Sequence, residues 1–208
     1  MRYPLVTPIF AGILLFAPGA GHAQQVATAH HLGAQLRAFV GPAFLYAVQD
    51  VGNAAVDKAT GFGVAFNIAL GSMLSDDLAL NMDLALAHSP SAAHGVLEDS
   101  VFSAVHLGAG LTYWWMPANV FLAASLGLAR TSVGGSPVRL GIEIPINESS
   151  DVGIGTHIAL GKQFWLSRRF CLGATLSLLA SAANNPVGGR DTSRYALVTT
   201  AALTATLH

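Results

Sequence analysis

The side chains that could support chemistry are few, and the most informative are two histidines and one carboxylate. His106, His157 and Asp83 lie in different segments of the chain, as do Arg37 and Asn67. A histidine beside a carboxylate can act as a general base or titrate near physiological pH. However, His157 has no nucleophile at a recognisable spacing, and no G-x-S-x-G elbow is present. Two hypotheses stay open. The one we favour is a structural network in which these polar side chains hydrogen-bond to one another, and the other is a proton-sensitive gate.

Metal and thiol chemistry have weaker candidates. His30 and His31 are adjacent, and His88 and His94 share a segment, but no organised carboxylates or cysteines accompany them as a metal site requires. Cys171 is the only cysteine, so no internal disulfide can form. We therefore predict no catalytic residues, no metal site and no cofactor.

The composition argues against an ordinary soluble domain. Hydrophobic residues make up 52% of the 208 residues and charged residues only 10%, with a net charge of −1. Soluble domains contain about 25% charged residues. No basic run suggests a nucleic-acid partner. After the first 23 residues, no uninterrupted apolar stretch is long enough for a membrane-spanning helix. A transmembrane β-barrel accounts for both facts, because its apolar residues are spread through alternating strands.

The first residues are typical of a secretory signal. Arg2 precedes an apolar stretch from Leu5 to Ala20, and a small-residue site ends at Ala23. We predict a cleaved signal peptide over residues 1–23, although an uncleaved anchor is the alternative. A short segment over 24–33 then leads into a barrel domain over 34–208.

Period-two alternation marks the strands. The segment Gly61–Gly71 places large apolar side chains on one face and small or polar ones on the other, as a strand does and a helix does not. Eight segments show this pattern to differing degrees. They are 34–47, 61–71, 78–87, 102–115, 119–131, 152–161, 170–179 and 194–207. The expected fold is an all-β, eight-stranded, antiparallel up-and-down transmembrane β-barrel.

The two faces predict which side meets lipid. The face with small and weakly polar side chains has too few charges for a solvated exterior, but it fits inside a narrow cylinder. The aliphatic face must then point outward, into lipid. The same parity predicts that a polar network lies in the lumen. Its members are Arg37, Asn67, Asp83, His106 and His157.

Connections and aromatic residues support this orientation. Predicted connections alternate between long (48–60, 88–101, 132–150, 181–193) and short (72–77, 116–118, 163–168), as in outer-membrane barrels. Aromatic side chains gather at both ends, which predicts two interface girdles. The girdle residues are Trp114, Trp115 and Trp165 at the short-turn end and Tyr46 and Tyr195 at the long-loop end.

In alternation and loop pattern, Ala34–His208 resembles the small outer-membrane barrels of the OmpA, OmpX and OmpW type. This resemblance implies contact with outer-membrane lipids and with the barrel assembly machinery, and localisation in the outer membrane. Such proteins usually end in an aromatic residue that the machinery reads, whereas Leu207 and His208 stand last here.

Three functions are compatible with such a barrel. The favoured one is a structural or surface-interaction role through long external loops. The second is a narrow conduit or binding tunnel for small hydrophobic molecules, suggested by the small side chains of the inner face. The third, a lipid-modifying enzyme, requires a nucleophile–base pair that the sequence does not display.

Overall fold

A computed structural model describes residues 33–50, 56–94, 97–135, 138–139, 142–143, 146–184 and 192–208. The predicted signal peptide (1–23), His30 and His31 lie outside the described residues, as does all of the 24–33 segment except Gly33.

Strands dominate the described residues. In chain order they are β1 (Ala34–Asp50), β2 (Val56–Met73), β3 (Leu78–His94), β4 (Leu97–Trp115), β5 (Val120–Gly135), β6 (Val138–Arg139), β7 (Ile142–Glu143), β8 (Ile146–Ser149), β9 (Gly153–Trp165), β10 (Phe170–Asn184) and β11 (Ser193–Leu207). A 3-10 helix, Met116–Ala118, links β4 to β5.

Eight of the described strands close into an antiparallel up-and-down barrel. Each strand pairs with its neighbour in the chain, β5 pairs with β9, and β1 pairs with β11 to complete the circle. The short strands β6–β8 form an excursion between β5 and β9, in which β8 pairs with the upper part of β5. The predicted fold class is therefore confirmed.

Pro42 marks an irregular place in the wall. The pairing of β1 with β11 runs from Leu36 to Val40 and resumes at Ala43, so Gly41 and Pro42 lack partners in β11. Proline has no N–H to donate to a ladder, which explains the interruption. On the other side of β1, Pro42 stays in register with Val64 of β2.

The alternation holds around the barrel. In β2, Phe62, Val64, Phe66 and Leu70 are exposed, whereas Ala65 and the other residues of opposite parity point inward. Large apolar side chains on the other strands are exposed in the same way. None of the described residues forms a helix long and apolar enough to cross a membrane.

The strands extend further than the alternation predicted, by a few residues at the short-turn end, as in β2 and β9, and by more at the opposite end. The short turns lie at 74–77, 116–119 and 166–169, close to the predictions. At the opposite end, β1 and β2 continue through most of the predicted loop 48–60, and β3 and β4 through most of 88–101. The predicted bounds of these two long connections are wrong, because backbone pairing continues where the outward residues become polar.

Candidate functional site

Asp83 stands at the centre of a polar network inside the barrel. Its Oδ1 accepts a hydrogen bond from Asn67 Nδ2 at 2.6 Å. Its Oδ2 accepts one from the Ser125 hydroxyl at 2.7 Å and contacts His157 Nδ1 at 2.6 Å. His106 Nε2 lies 3.1 Å from the same hydroxyl. All five residues are buried, so the carboxylate links β2, β5 and β9 across the lumen.

Glycines in β4 open the route from β3 to β5. Asp83 pairs with Gly108, and Asn81 with Gly110, so no side chain of β4 intervenes directly beside them. A Cβ at position 108 would lie 2.7 Å from His106 Nε2, and one at position 110 would lie 2.6 Å from the Ser125 Cβ. Both contacts are closer than carbon packing permits. The glycines therefore create the space in which the network forms.

Arg37 forms the lower part of the network, nearer the short turns. Its Nη1 donates to Thr112 Oγ1 at 3.0 Å, and Asn81 Nδ2 donates to the same oxygen at 2.6 Å. The guanidinium lies over the Phe121 ring, 4.7 Å from its centroid. Arg37 and Asp83 form no direct ion pair, but both line a cavity of about 10 Å³, room for about one water molecule.

Two apolar layers enclose these polar side chains. Toward the loop end lies a cluster of buried residues that includes Leu45, Phe102 and Leu179. Toward the turn end lies a second cluster that includes Met73, Trp114 and Phe121. Beyond the upper layer, Gln49 accepts a hydrogen bond from Arg194 Nε at 3.2 Å. The lumen is thus filled in layers.

The network does not have the arrangement of a serine hydrolase. The His106–Ser125 distance would suit a nucleophile and its base, but the Ser125 hydroxyl donates its hydrogen bond to Asp83 instead. Asp83 contacts His157, not His106, so no carboxylate orients the histidine beside the serine. His106 and Ser125 are also buried between the two apolar layers. Among the described residues, no group of three or more potential ligands could hold a metal ion.

The aromatic residues predicted as girdles divide into two groups. Trp115 and Tyr195 are exposed on the outer face, and Tyr46 is half-buried with outward parity. Trp114 is buried with inward parity, and Trp165 shares that parity. Their rings lie 5.8 and 5.1 Å from the ring of His208. The girdle assignment is therefore corrected for Trp114 and Trp165, because strand alternation turns them inward.

All five predicted lumen residues point inward, and the structure brings them together with partners that the sequence analysis missed. The missed residues are Asn81, Thr112, Phe121 and Ser125. One unused signal was a repeat: 63–71 reads GVAFNIALG and 153–161 reads GIGTHIALG. Asn67 and His157 occupy equivalent positions in these two segments, and both contact Asp83.

Comparison with known protein families found no matching model, and no curated protein matches in sequence. Solved structures do match. NspA, a Neisserial surface protein, is 17% identical, with 84% of this chain and 96% of that chain covered and a TM-score of 0.56. OprG, an outer-membrane protein from Pseudomonas aeruginosa, is 12% identical, with 86% and 98% covered and a TM-score of 0.46. Ail from Yersinia pestis is 16% identical, with 83% and 99% covered and a TM-score of 0.43.

At such low sequence identities, these structures are similar to the chain in fold alone. The similarity in fold rests on the match to NspA. The chain has the architecture of the small eight-stranded outer-membrane β-barrels, as its alternation predicted. What the barrel does has to be argued from its own interior and exterior.

Proposed function

We propose that the chain is a closed outer-membrane barrel that holds extended β-hairpins at the cell surface, where they serve a structural or recognition role. The observation that carries this proposal is the filled lumen. Arg37, Leu45, Phe102, His106 and Phe121 are each no more than 2% exposed. An interior packed to this degree favours an anchor over a channel.

The exterior supports placement in a membrane. The lipid-facing surface would be the belt of exposed aliphatic side chains, and examples from different strands are Val40, Leu86, Leu107 and Leu176. A soluble protein rarely exposes a continuous apolar surface of this extent. Outer-membrane lipids are thus the proposed environment, and the assembly machinery the proposed partner during insertion. Export with removal of residues 1–23 belongs to the same proposal.

The strand lengths support projection beyond the membrane. β4 has 19 residues, which at about 3.3 Å per residue and a tilt of about 45° correspond to a height of about 45 Å. The apolar band of an outer-membrane barrel is about 25 Å tall. Because the turns at the other end are short, the strand length beyond the apolar band lies at the loop end. The paired ends of β1–β2 and β3–β4 would stand above the lipid.

The orientation can be tested by cysteine labelling in intact cells. In a Cys171→Ala background, Lys58→Cys and Asp151→Cys place a thiol at the loop end, and Ser75→Cys and Ser167→Cys place one at the turn end; all four positions are exposed. A membrane-impermeant maleimide should label the first pair in intact cells and the second pair only after permeabilisation. Equal labelling of both pairs in intact cells would contradict the proposal.

The second candidate is a binding tunnel for small apolar molecules, to which the apolar upper layer of the lumen would be chemically suited. The geometry supports this candidate less well than a closed barrel, because the side chains of that layer are packed and buried, namely Leu45, Phe102, Val133, Leu179 and Val198. Liposomes containing the protein should take up a small apolar fluorophore faster than empty liposomes if this candidate is correct. We propose no enzymatic activity, because the Ser125 hydroxyl donates its hydrogen bond to Asp83 inside an enclosed network and not to a histidine base.

A further inference from the structure

A polar row crosses one sector of the outer surface at the upper edge of the apolar belt. His88 pairs with Ser103, Ser103 with Ser132, and Ser132 with Ser149, so four strands contribute one residue each. All four side chains have outward parity, and His88 is exposed. His88 Nδ1 lies 2.9 Å from Ser103 Oγ. We call these four residues the polar row.

Arg130 lies directly below the polar row, on the outer face of β5. It pairs with Val105 and is exposed. Its Nε donates to Ser149 Oγ at 2.8 Å and to the Ser150 carbonyl at 3.2 Å. β5 continues to Gly135, beyond the predicted strand end at residue 131, so Arg130 lies within the strand. Both of these hydrogen bonds use Nε, and the described residues provide no hydrogen-bond partner for Nη1 or Nη2.

The polar row is confined to this sector. Its register continues from His88 to Val64 of β2 and then to Pro42 of β1, which are both exposed and apolar. Farther around the rim, Tyr195 is exposed as well. Below the row, exposed Leu86, Leu107 and Leu128 continue the apolar belt. The sector therefore combines hydroxyls, an imidazole and an oriented guanidinium with an apolar surface beneath them.

We infer that this sector binds the phosphorylated headgroup of a lipid in the external leaflet. An arginine fork with neighbouring hydroxyl donors suits phosphate oxygens. Directly opposed residues have Cβ atoms about 5 Å apart and diagonal ones about 7 Å, so a phosphate at Arg130 can also reach the hydroxyls of the polar row on β4, β5 and β8, whereas His88 lies two strands away from Arg130. The acyl chains would lie over Leu86, Leu107 and Leu128. This inference rests on the proposed membrane function.

The test uses the full chain, refolded in detergent, with lipopolysaccharide that carries lipid A phosphates as the probe. Binding is measured as the rise in the midpoint temperature at which the barrel loses its fast gel mobility. Arg130→Gln should weaken binding about tenfold, as expected for the loss of a charge-assisted contact, and His88→Gln should weaken it less. Lys162→Gln removes an exposed cation at the opposite rim and should leave binding unchanged.

Three results would overturn the inference: unchanged binding by Arg130→Gln, equal binding of the same lipid after its phosphates are removed, or full displacement of the lipid by millimolar inorganic phosphate. Arg130→Lys keeps the positive charge but lacks the planar guanidinium, so its affinity for the lipid should lie between those of the wild type and Arg130→Gln. This variant provides the test if Arg130→Gln fails to fold. Absence of fast gel mobility in the wild-type chain would instead contradict the proposed membrane function.

Discussion

Asp83 joins three separate strands to one carboxylate, since its oxygens are shared by Asn67, Ser125 and His157. Burial of a carboxylate is tolerated only when such partners surround it. If Asp83 is replaced by Asn, one oxygen becomes an N–H donor that faces other donors. We expect the free energy of unfolding to fall by about 3 kcal/mol.

Urea unfolding in lipid vesicles, followed by tryptophan fluorescence, measures this loss. Asp151→Asn, an exposed acid-to-amide change, is the matched control and should change stability by less than about 0.5 kcal/mol. If both variants lose the same stability, the network does not contribute as described.

At the residue scale, parity was sufficient to predict which side chains enter the lumen, but not which ones meet. His157 and Asp83 are 74 residues apart in the chain, and their contact depends on strand tilt and register, which alternation does not determine. The error at Trp114 and Trp165 had another cause. Trp114 already had inward parity in the predicted strand 102–115, whereas Trp165 lay in a predicted turn and has inward parity only because β9 continues to that residue.

At the scale of elements, Gly161 in β9 provides the space for Phe121 of β5. A Cβ at position 161 would lie 2.3 Å from Phe121 Cε1 and 2.7 Å from Thr175 Oγ1. The ring cannot move freely, because it is fully buried and carries the Arg37 guanidinium. We expect Gly161→Ala to lower the free energy of unfolding by about 1–3 kcal/mol through overpacking.

The same urea experiment provides the check, with a double variant as the control. Adding Phe121→Leu should recover part of the loss, because the smaller side chain leaves space for the new methyl group. An additive effect of the two substitutions would show that the Gly161–Phe121 contact is not the cause.

The strands also show where sequence prediction stops at this scale. Alternation located all eight barrel strands within the apolar belt, where outward and inward residues contrast in polarity. Above the belt, outward residues such as Lys58 and His88 are polar, so the contrast weakens while backbone pairing continues. Positions such as 57 and 94 were therefore predicted as loop, although both lie in strands.

At the scale of the whole molecule, the barrel combines an apolar exterior with an interior filled in layers. Along the barrel axis, the lumen contains polar groups at the loop end, then an apolar layer, then the Asp83 network, and then a second apolar layer. Eight strands leave a lumen that side chains can fill. We therefore expect the barrel to be membrane-inserted and closed to ions.

Conductance across a planar lipid bilayer tests this claim most directly, with gel mobility of boiled and unboiled samples from the same preparation as proof of insertion. We expect a heat-dependent mobility shift with no steady conductance for the wild-type barrel. A variant with Leu45→Ala, Phe102→Ala and Phe121→Ala, which truncates the largest fully buried apolar side chains of the two layers, should conduct measurably. A stable open channel in the folded wild-type protein would contradict the account.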